Sequence, residues 1–158
     1  MAKKKFSVYV AYGSNMDLAQ MVSRCPDAMV LGLGVIKDWR LMFKGSYSGN
    51  YATIEREVGQ SVPVMLWRIS TTDEARLDRY EGFPTFYYKD TVDVETVDPY
   101  GKGEGGGVIR GMVYIMHEER ILGAPSRQYY NLLDDAYRRC CFDRRILKAA
   151  LRYSVGDE

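Results

Sequence analysis

A glutamate and a small polar loop, far apart in the chain, have the residue types that could do chemistry. Glu81 ends a predicted helix, and Tyr12-Gly13-Ser14-Asn15 follows a predicted strand over residues 6–11. A carboxylate can move a proton, and backbone N–H groups without partners, just before a helix, can hold an anion or an oxyanion. We therefore expect Glu81 to work beside this loop.

Glu81 lies where two effects raise the pKa of a carboxyl group. At the C-terminal end of a helix it faces the negative end of the helix dipole. Aromatic neighbours could also exclude water from it, and these are Tyr80, Phe83, Phe86 and Tyr87. A pKa near neutrality suits a general acid and base, whereas the alternative is a solvated turn residue without a chemical role. The loop has a structural alternative too, because Gly, Ser and Asn are common in ordinary turns.

Composition indicates one globular domain over residues 1–158. The chain is 46% hydrophobic and 27% charged, with a formal net charge of +1. This length can bury a sizeable core, and the low charge argues against nucleic acid or a membrane as partner. We find no signal peptide or transmembrane stretch and expect a cytoplasmic location.

Cysteine and histidine are too few to indicate a metal site. Cys25, Cys140 and Cys141 form no Cys-x-x-Cys pair, and His117 is the only histidine. We expect free thiols that are buried rather than nucleophilic, and no metal.

The hydrophobic pattern predicts short strands, one mid-chain helix and two late helices. Strands are predicted over residues 6–11, 28–36, 39–43, 51–54, 62–69, 86–97 and 108–116, with a loop at 45–50 and a flexible, glycine-rich hairpin loop at 98–107. Asp17 caps a short helix, a Thr71-Thr72-Asp73-Glu74 capping box opens the mid-chain helix, Gly82 ends it, and Ser126 opens the late pair. This order predicts an α+β fold, with a curved mixed sheet or small barrel flanked by helices.

Three segments together resemble the γ-glutamyl cyclotransferase family, in the order that the family has them. They are Tyr12-Gly13-Ser14-Asn15-Met16, Leu77-Asp78-Arg79-Tyr80-Glu81-Gly82-Phe83-Pro84 and Pro125-Ser126-Arg127-Gln128-Tyr129. The strand with Tyr114-Ile115-Met116 is also similar. The resemblance implies a small mixed β-barrel flanked by helices, with no cofactor.

The resemblance also implies residue roles and a reaction. Glu81 would be the general acid and base, and the substrate-binding residues would be Tyr9, Val10, Ala11, Tyr12, Gly13, Ser14, Asn15, Tyr114 and Tyr129. The α-amino group of a γ-glutamyl substrate would attack its own side-chain carbonyl, releasing 5-oxoproline and an amine or amino acid. Holding both groups together can give effective molarities on the order of 10⁵ M, so no covalent nucleophile is needed.

Two alternatives remain open from the sequence. A non-catalytic small-molecule-binding protein could keep the same fold and pocket. The arginine-rich late helices could bind a protein or nucleic acid, although acidic residues alternate with them and the net charge is low. The leaving group and the oligomeric state, including a homodimer, also stay open. The segment around Glu81 differs from the glutathione-pathway form of the family, which argues against that substrate.

Overall fold

A computed structural model of the chain describes residues 5–97 and 106–157. Apart from one 3-10 turn at Ser14–Met16, its elements in chain order are β1 (Phe6–Ala11), α1 (Leu18–Arg24), β2 (Met29–Ser46), β3 (Gly49–Ser70), α2 (Thr71–Tyr80), β4 (Tyr87–Val97), β5 (Val108–Met116), β6 (Ile121–Leu122), α3 (Arg127–Arg139) and α4 (Arg144–Ser154). Most of the predicted hairpin loop at 98–107 lies outside the described residues.

Five strands close into a small barrel. Their order is β3-β1-β5-β4-β2, and β2 pairs again with β3 to complete the ring, while β6 adds to β2. β1 runs parallel to β5 at Tyr9 and Met112, and the other pairings are antiparallel. With helices packed around it, this mixed barrel confirms the predicted α+β fold.

The hairpin of β2 and β3 corrects the prediction of four short strands and a loop at 45–50. The two strands pair from Met29 and Arg68 to Ser46 and Gly49, with register shifts between Val30 and Gly32 and between Lys37 and Trp39. Residues 57–60 of β3 form a bulge opposite the single residue Asp38 of β2, which has a positive φ of 66°. These four residues are exposed, and the pairing of the two strands resumes on both sides of them, because a bulge bends a strand without ending its pairing.

Close contact between β1 and β5 depends on Gly111. A Cβ atom there would lie 2.7 Å from Val10 Cγ2 and 2.9 Å from Val8 Cγ1. Those distances are shorter than carbon atoms can approach without displacement, so a larger residue here would have to push β1 and β5 apart or move the two valine side chains. This pairing matters for the site because β1 leads into the Tyr12-Gly13-Ser14-Asn15 loop.

The helix α2 begins one residue earlier than the predicted capping box. Ser70, not Thr71, is the N-cap: its Oγ accepts from Asp73 N, and Asp73 Oδ2 accepts from Ser70 N, both at 3.1 Å. Ser70 and Asp73 are buried, whereas Thr71 is exposed, so burial selects between two overlapping motifs. The predicted helix end is confirmed: Glu81 is the C-cap, and Gly82 follows with a φ of 64°.

The three cysteines are free thiols in different surroundings. Cys25 is buried, and burial raises its pKa to about 12. Cys140 is half-buried, and Cys141 is exposed just after α3, which corrects the expectation that all three are buried.

Candidate active site

The barrel and α1 hold the Tyr12-Gly13-Ser14-Asn15 loop at several points. Tyr12 donates its hydroxyl to the carbonyl of Tyr114 on β5 at 2.6 Å. Trp67 on β3 donates from Nε1 to the carbonyl of Asn15 at 3.0 Å. Tyr12 and Asn15 are both buried, so the loop is a rigid part of the barrel end rather than a surface turn.

A pocket of about 440 Å³ opens at this loop. That volume is in the range of small-molecule sites. Its walls come from β1, the loop, α1, the turn between β2 and β3, the start of β3, the end of α2 and the segment that leads into β4, with one residue each from β5 and α3. The lining residues are Tyr9, Tyr12, Gly13, Ser14, Asn15, Gln20, Arg24, Ser48, Tyr51, Ala52, Arg79, Tyr80, Glu81, Gly82, Phe86, Tyr87, Tyr114 and Tyr129.

The side-chain amide of Asn15 connects the loop to Glu81. Its Nδ2 donates to Glu81 Oε1 at 3.2 Å and to the Tyr9 hydroxyl at 2.9 Å. Its Oδ1 accepts from Gln20 Nε2 and Arg24 Nη1, both at 3.1 Å. All four hydrogen-bonding positions of the amide are therefore used, which fixes the orientation of Asn15.

Burial raises the pKa of the Glu81 carboxyl to about 7, although hydrogen bonding from Asn15 and the charge of Arg24 both lower it. The residue is half-buried, and its carboxyl group faces a pocket rich in tyrosine. Of the four aromatic residues expected to exclude water from it, Tyr80, Phe86 and Tyr87 line the same pocket, whereas Phe83 does not. Near neutral pH, both protonation states of Glu81 are populated, as a group that takes and returns a proton requires.

Two tyrosine hydroxyl groups have a proton to give to a ligand. Tyr9 accepts from Asn15 Nδ2, and Tyr129 accepts from the backbone N–H of Ala52 at 3.1 Å. Neither hydroxyl donates to an acceptor within the described residues. Burial raises the pKa of both phenols above the ordinary value, so they remain protonated donors.

The hydroxyl of Tyr114 is already engaged on the far side of the pocket. It donates to Asp78 Oδ1 at 2.6 Å, and Asp78 in turn pairs with Lys89 Nζ at 2.9 Å. Lys89 also pairs with Glu74 on α2 at 2.8 Å. This network ties β4 and β5 to the helix that ends at Glu81, and Tyr114 can offer a ligand only its ring or an acceptor lone pair.

Most of the residues expected to bind substrate line the pocket, but two do not. Tyr9, Tyr12, Gly13, Ser14, Asn15, Tyr114 and Tyr129 surround it together with Glu81. Val10 and Ala11 are buried in the core of the barrel, each only 1% exposed, and are not among the lining residues. They are the last two residues of β1, the strand from which the loop continues.

Gln20 and Arg24 were missed by the sequence analysis. Both lie on α1, four residues apart, and therefore on one face of the helix, which is turned toward the loop. Because residues four apart share one face of a helix, this spacing in a predicted helix beside the loop could have indicated both residues. Tyr51, Ala52 and Ser48 were missed because the hairpin that brings them to the pocket was predicted as separate pieces.

Neither a metal site nor a membrane helix is found in the part of the chain that the structure describes. No group of three or more His, Cys, Asp or Glu side chains in residues 5–97 and 106–157 could hold a metal ion. Within the same residues, no helix has the length and apolar character needed to cross a membrane.

The chain is thus a small closed mixed barrel with a tyrosine-rich pocket that includes Glu81. The model of the family described as "Gamma-glutamyl cyclotransferase, AIG2-like" matches residues 9–138. The chain belongs to this family. A comparison with curated proteins finds no match.

Solved structures share the fold over nearly the whole chain. One named "Gamma-glutamyl cyclotransferase" is 23% identical with a TM-score of 0.78, over 92% of this chain and 86% of the other. An uncharacterised protein from Homo sapiens is 25% identical with a TM-score of 0.76, over 92% and 86% of the two chains. YkqA from Bacillus subtilis is 21% identical with a TM-score of 0.76, and the match covers 96% of this chain but 55% of that protein.

Proposed function

We propose that the protein is a γ-glutamyl cyclotransferase that releases 5-oxoproline and an amine or amino acid, with Glu81 as general acid and base. The observation that carries the proposal is the hydrogen bond of 3.2 Å between Asn15 Nδ2 and Glu81 Oε1. It places a carboxyl group with a pKa of about 7 directly beside the loop that would hold the γ-glutamyl group. Family membership supports the same reaction class.

Glu81 can serve both proton transfers of the reaction: it removes a proton from the attacking nitrogen and gives a proton to the leaving nitrogen. As a carboxylate, Glu81 takes a proton from the substrate's α-ammonium group, which frees the nitrogen lone pair to attack the γ-carbonyl carbon. The new C–N bond closes the five-membered ring, and the bond to the original amide nitrogen breaks as Glu81 returns a proton to that nitrogen. Overall, two protons leave the attacking nitrogen and two reach the leaving amine, which departs as an ammonium ion.

Hydrogen-bond donors for the developing oxyanion are present in the same pocket. The hydroxyl groups of Tyr9 and Tyr129 have protons without an acceptor in the described chain. The backbone N–H groups of Ser14 and Asn15 likewise have no acceptor there. Fixed donors of this kind favour the transition state because they need no reorganisation when charge develops.

The test is turnover of a panel of γ-glutamyl dipeptides and γ-glutamyl amines, measured as 5-oxoproline formed. We expect the Glu81→Gln variant to lose about 10²- to 10⁴-fold in kcat/KM, the usual contribution of a general acid–base group. Glutamine keeps the size and can still accept from Asn15. Equal turnover by wild type and Glu81→Gln would refute the assigned role.

The panel also separates an enzyme from a binding protein. If 5-oxoproline raises the unfolding temperature while no substrate turns over, the pocket is a binding site and the proposed catalysis is wrong. If some members turn over, their amine parts define the leaving-group preference.

A further inference from the structure

Arg24 presents a guanidinium group that is held in place at the pocket. Its Nη1 donates to Asn15 Oδ1 at 3.1 Å, and its Cζ lies 4.5 Å from the centroid of the Tyr80 ring. The residue is half-buried at the end of α1. Because a guanidinium has five N–H donors, the bond to Asn15 leaves most of them for a ligand.

No carboxylate in the described part of the chain forms an ion pair with Arg24. Glu81 is the acidic residue of the pocket lining, but Asn15 lies between the two, with Nδ2 on Glu81 and Oδ1 on Arg24. The charges of Arg24 and Glu81 interact only across Asn15, so the half-buried guanidinium has no carboxylate bonded to it, which is unfavourable for a partly dehydrated cation. An anionic group on a ligand would remove that cost.

A γ-glutamyl compound carries such an anion next to its reacting nitrogen. The α-carboxylate is bonded to the same carbon as the α-amino group. With the amino group at Glu81, on one side of Asn15, the carboxylate lies one carbon away and can reach the other side, where Arg24 is held. A bidentate contact with a planar guanidinium suits a carboxylate.

We propose that Arg24 binds the α-carboxylate of the γ-glutamyl group and so sets the direction in which the substrate lies. This inference rests on the proposed function and deepens it. The substrate must then carry a free α-carboxylate: γ-glutamyl compounds are accepted, and 4-aminobutanoyl compounds, which have the same chain and amine without the carboxylate, are rejected.

The test compares two lactams that differ only in the carboxylate. 5-Oxoproline and 2-pyrrolidinone are titrated at pH 7.5 into the wild type and into Arg24→Gln, Arg24→Met and Arg76→Gln, with dissociation constants from NMR shifts. Arg24→Met keeps an apolar stem on the Tyr80 ring. Arg76 is an exposed arginine on α2 that does not line the pocket, which makes Arg76→Gln the matched control.

We expect the wild type and Arg76→Gln to prefer 5-oxoproline by about 10- to 100-fold, as a charge-assisted contact implies. In Arg24→Gln and Arg24→Met the preference should fall to within about threefold of unity. If one Arg24 variant does not fold, the lactam preference of the other variant tests the inference. A wild type without preference, or an Arg24 variant that keeps it, overturns the inference.

Failure of the inference and failure of the proposed function give different results. Lactam binding is measured without turnover, so a protein that binds 5-oxoproline through Arg24 but forms none from any substrate keeps the inference and loses the catalysis. If Arg24 only adjusts the pKa of Glu81, its variants shift the pH profile of turnover but keep the lactam preference, and the inference is wrong.

Discussion

Asn15 and Glu81, 66 positions apart in the chain, are joined by a side-chain hydrogen bond of 3.2 Å. The amide nitrogen faces the carboxylate and the amide oxygen faces Arg24, which is the electrostatically favourable orientation of the group. Asn15 therefore supports Glu81 as a proton acceptor while holding the cation on its other side.

Asn15→Asp should shift the pH dependence of turnover to higher pH. The new carboxylate would lie beside Glu81, and a like charge disfavours ionisation, so the pKa of Glu81 should rise further above its present value of about 7. We expect the rising limb of kcat/KM against pH to move up by about one pH unit or more. Asn131→Asp, on the exposed face of α3, is the control and should keep the wild-type profile. An unchanged profile in Asn15→Asp would contradict the coupling.

Glu81→Gln should change stability in a pH-dependent way. The folded state raises the pKa of Glu81 from the usual 4.5 to about 7, so ionising it in the folded protein costs up to about 3 kcal/mol. The stability contribution of this group is fully present below pH 4.5 and is lost as the pH rises through 7. Relative to wild type, the neutral Gln variant should therefore gain free energy of unfolding between pH 5 and pH 8.5. Urea denaturation at both pH values measures it, and a difference that stays constant with pH would contradict the raised pKa.

Tyr129→Phe should lower both the stability of the protein and the affinity of its pocket for 5-oxoproline. The hydroxyl accepts from the backbone N–H of Ala52, a buried residue, and its removal leaves that donor without a partner at a cost of about 1–3 kcal/mol. Binding of 5-oxoproline should also weaken, because the phenol proton is free for a ligand. The neighbouring Tyr130→Phe removes a hydroxyl with no hydrogen bond in the described chain and should change stability by less than about 0.5 kcal/mol. Equal unfolding midpoints for the two variants would be inconsistent with this role.

Gly111→Ala should destabilise the barrel by about 1–3 kcal/mol, because its methyl group would overlap Val10 and Val8 on β1. Gly107→Ala, where the nearest atom is Thr96 Oγ1 at 3.8 Å, is the matched control. The free energies of unfolding of the two variants, measured in urea, test the prediction. Similar losses in both would show that the β1–β5 contact does not require a glycine.

The sequence predicted those parts of the fold in which local pattern and tertiary structure agree. The strand before the loop, the helix end at Gly82 and the N-cap at Ser126 follow from rules about neighbouring residues, and the structure has them. The long hairpin of β2 and β3 was not predictable in this way. In its bulge, the backbone N–H of Gly59 donates to Asp38 Oδ1, 21 residues away, a contact that no pattern of neighbouring residues predicts.

In the candidate site, too, the sequence predicted what residue type shows and missed what depends on contacts between distant residues. Glu81 and the loop have recognisable residue types, so the sequence indicated them. The contribution of Arg24 depends on Asn15 and Tyr80 holding its guanidinium at the pocket. The raised pKa of Glu81 was expected, but its main cause is burial by the folded pocket, including residues from β3 and α3 that are distant in sequence.

The position of β1 in the ring has a consequence for synthesis of the protein. β1 is synthesised before both of the strands between which it lies, β3 and β5, and the Tyr12 hydroxyl donates to a carbonyl 102 residues later. At translation rates of about 5–20 residues per second, the loop waits about 5–20 s for that partner. The site therefore cannot be complete until β5 and α3 have been synthesised, and a chain truncated before β5 carries the loop without the strand that holds Tyr12 in place.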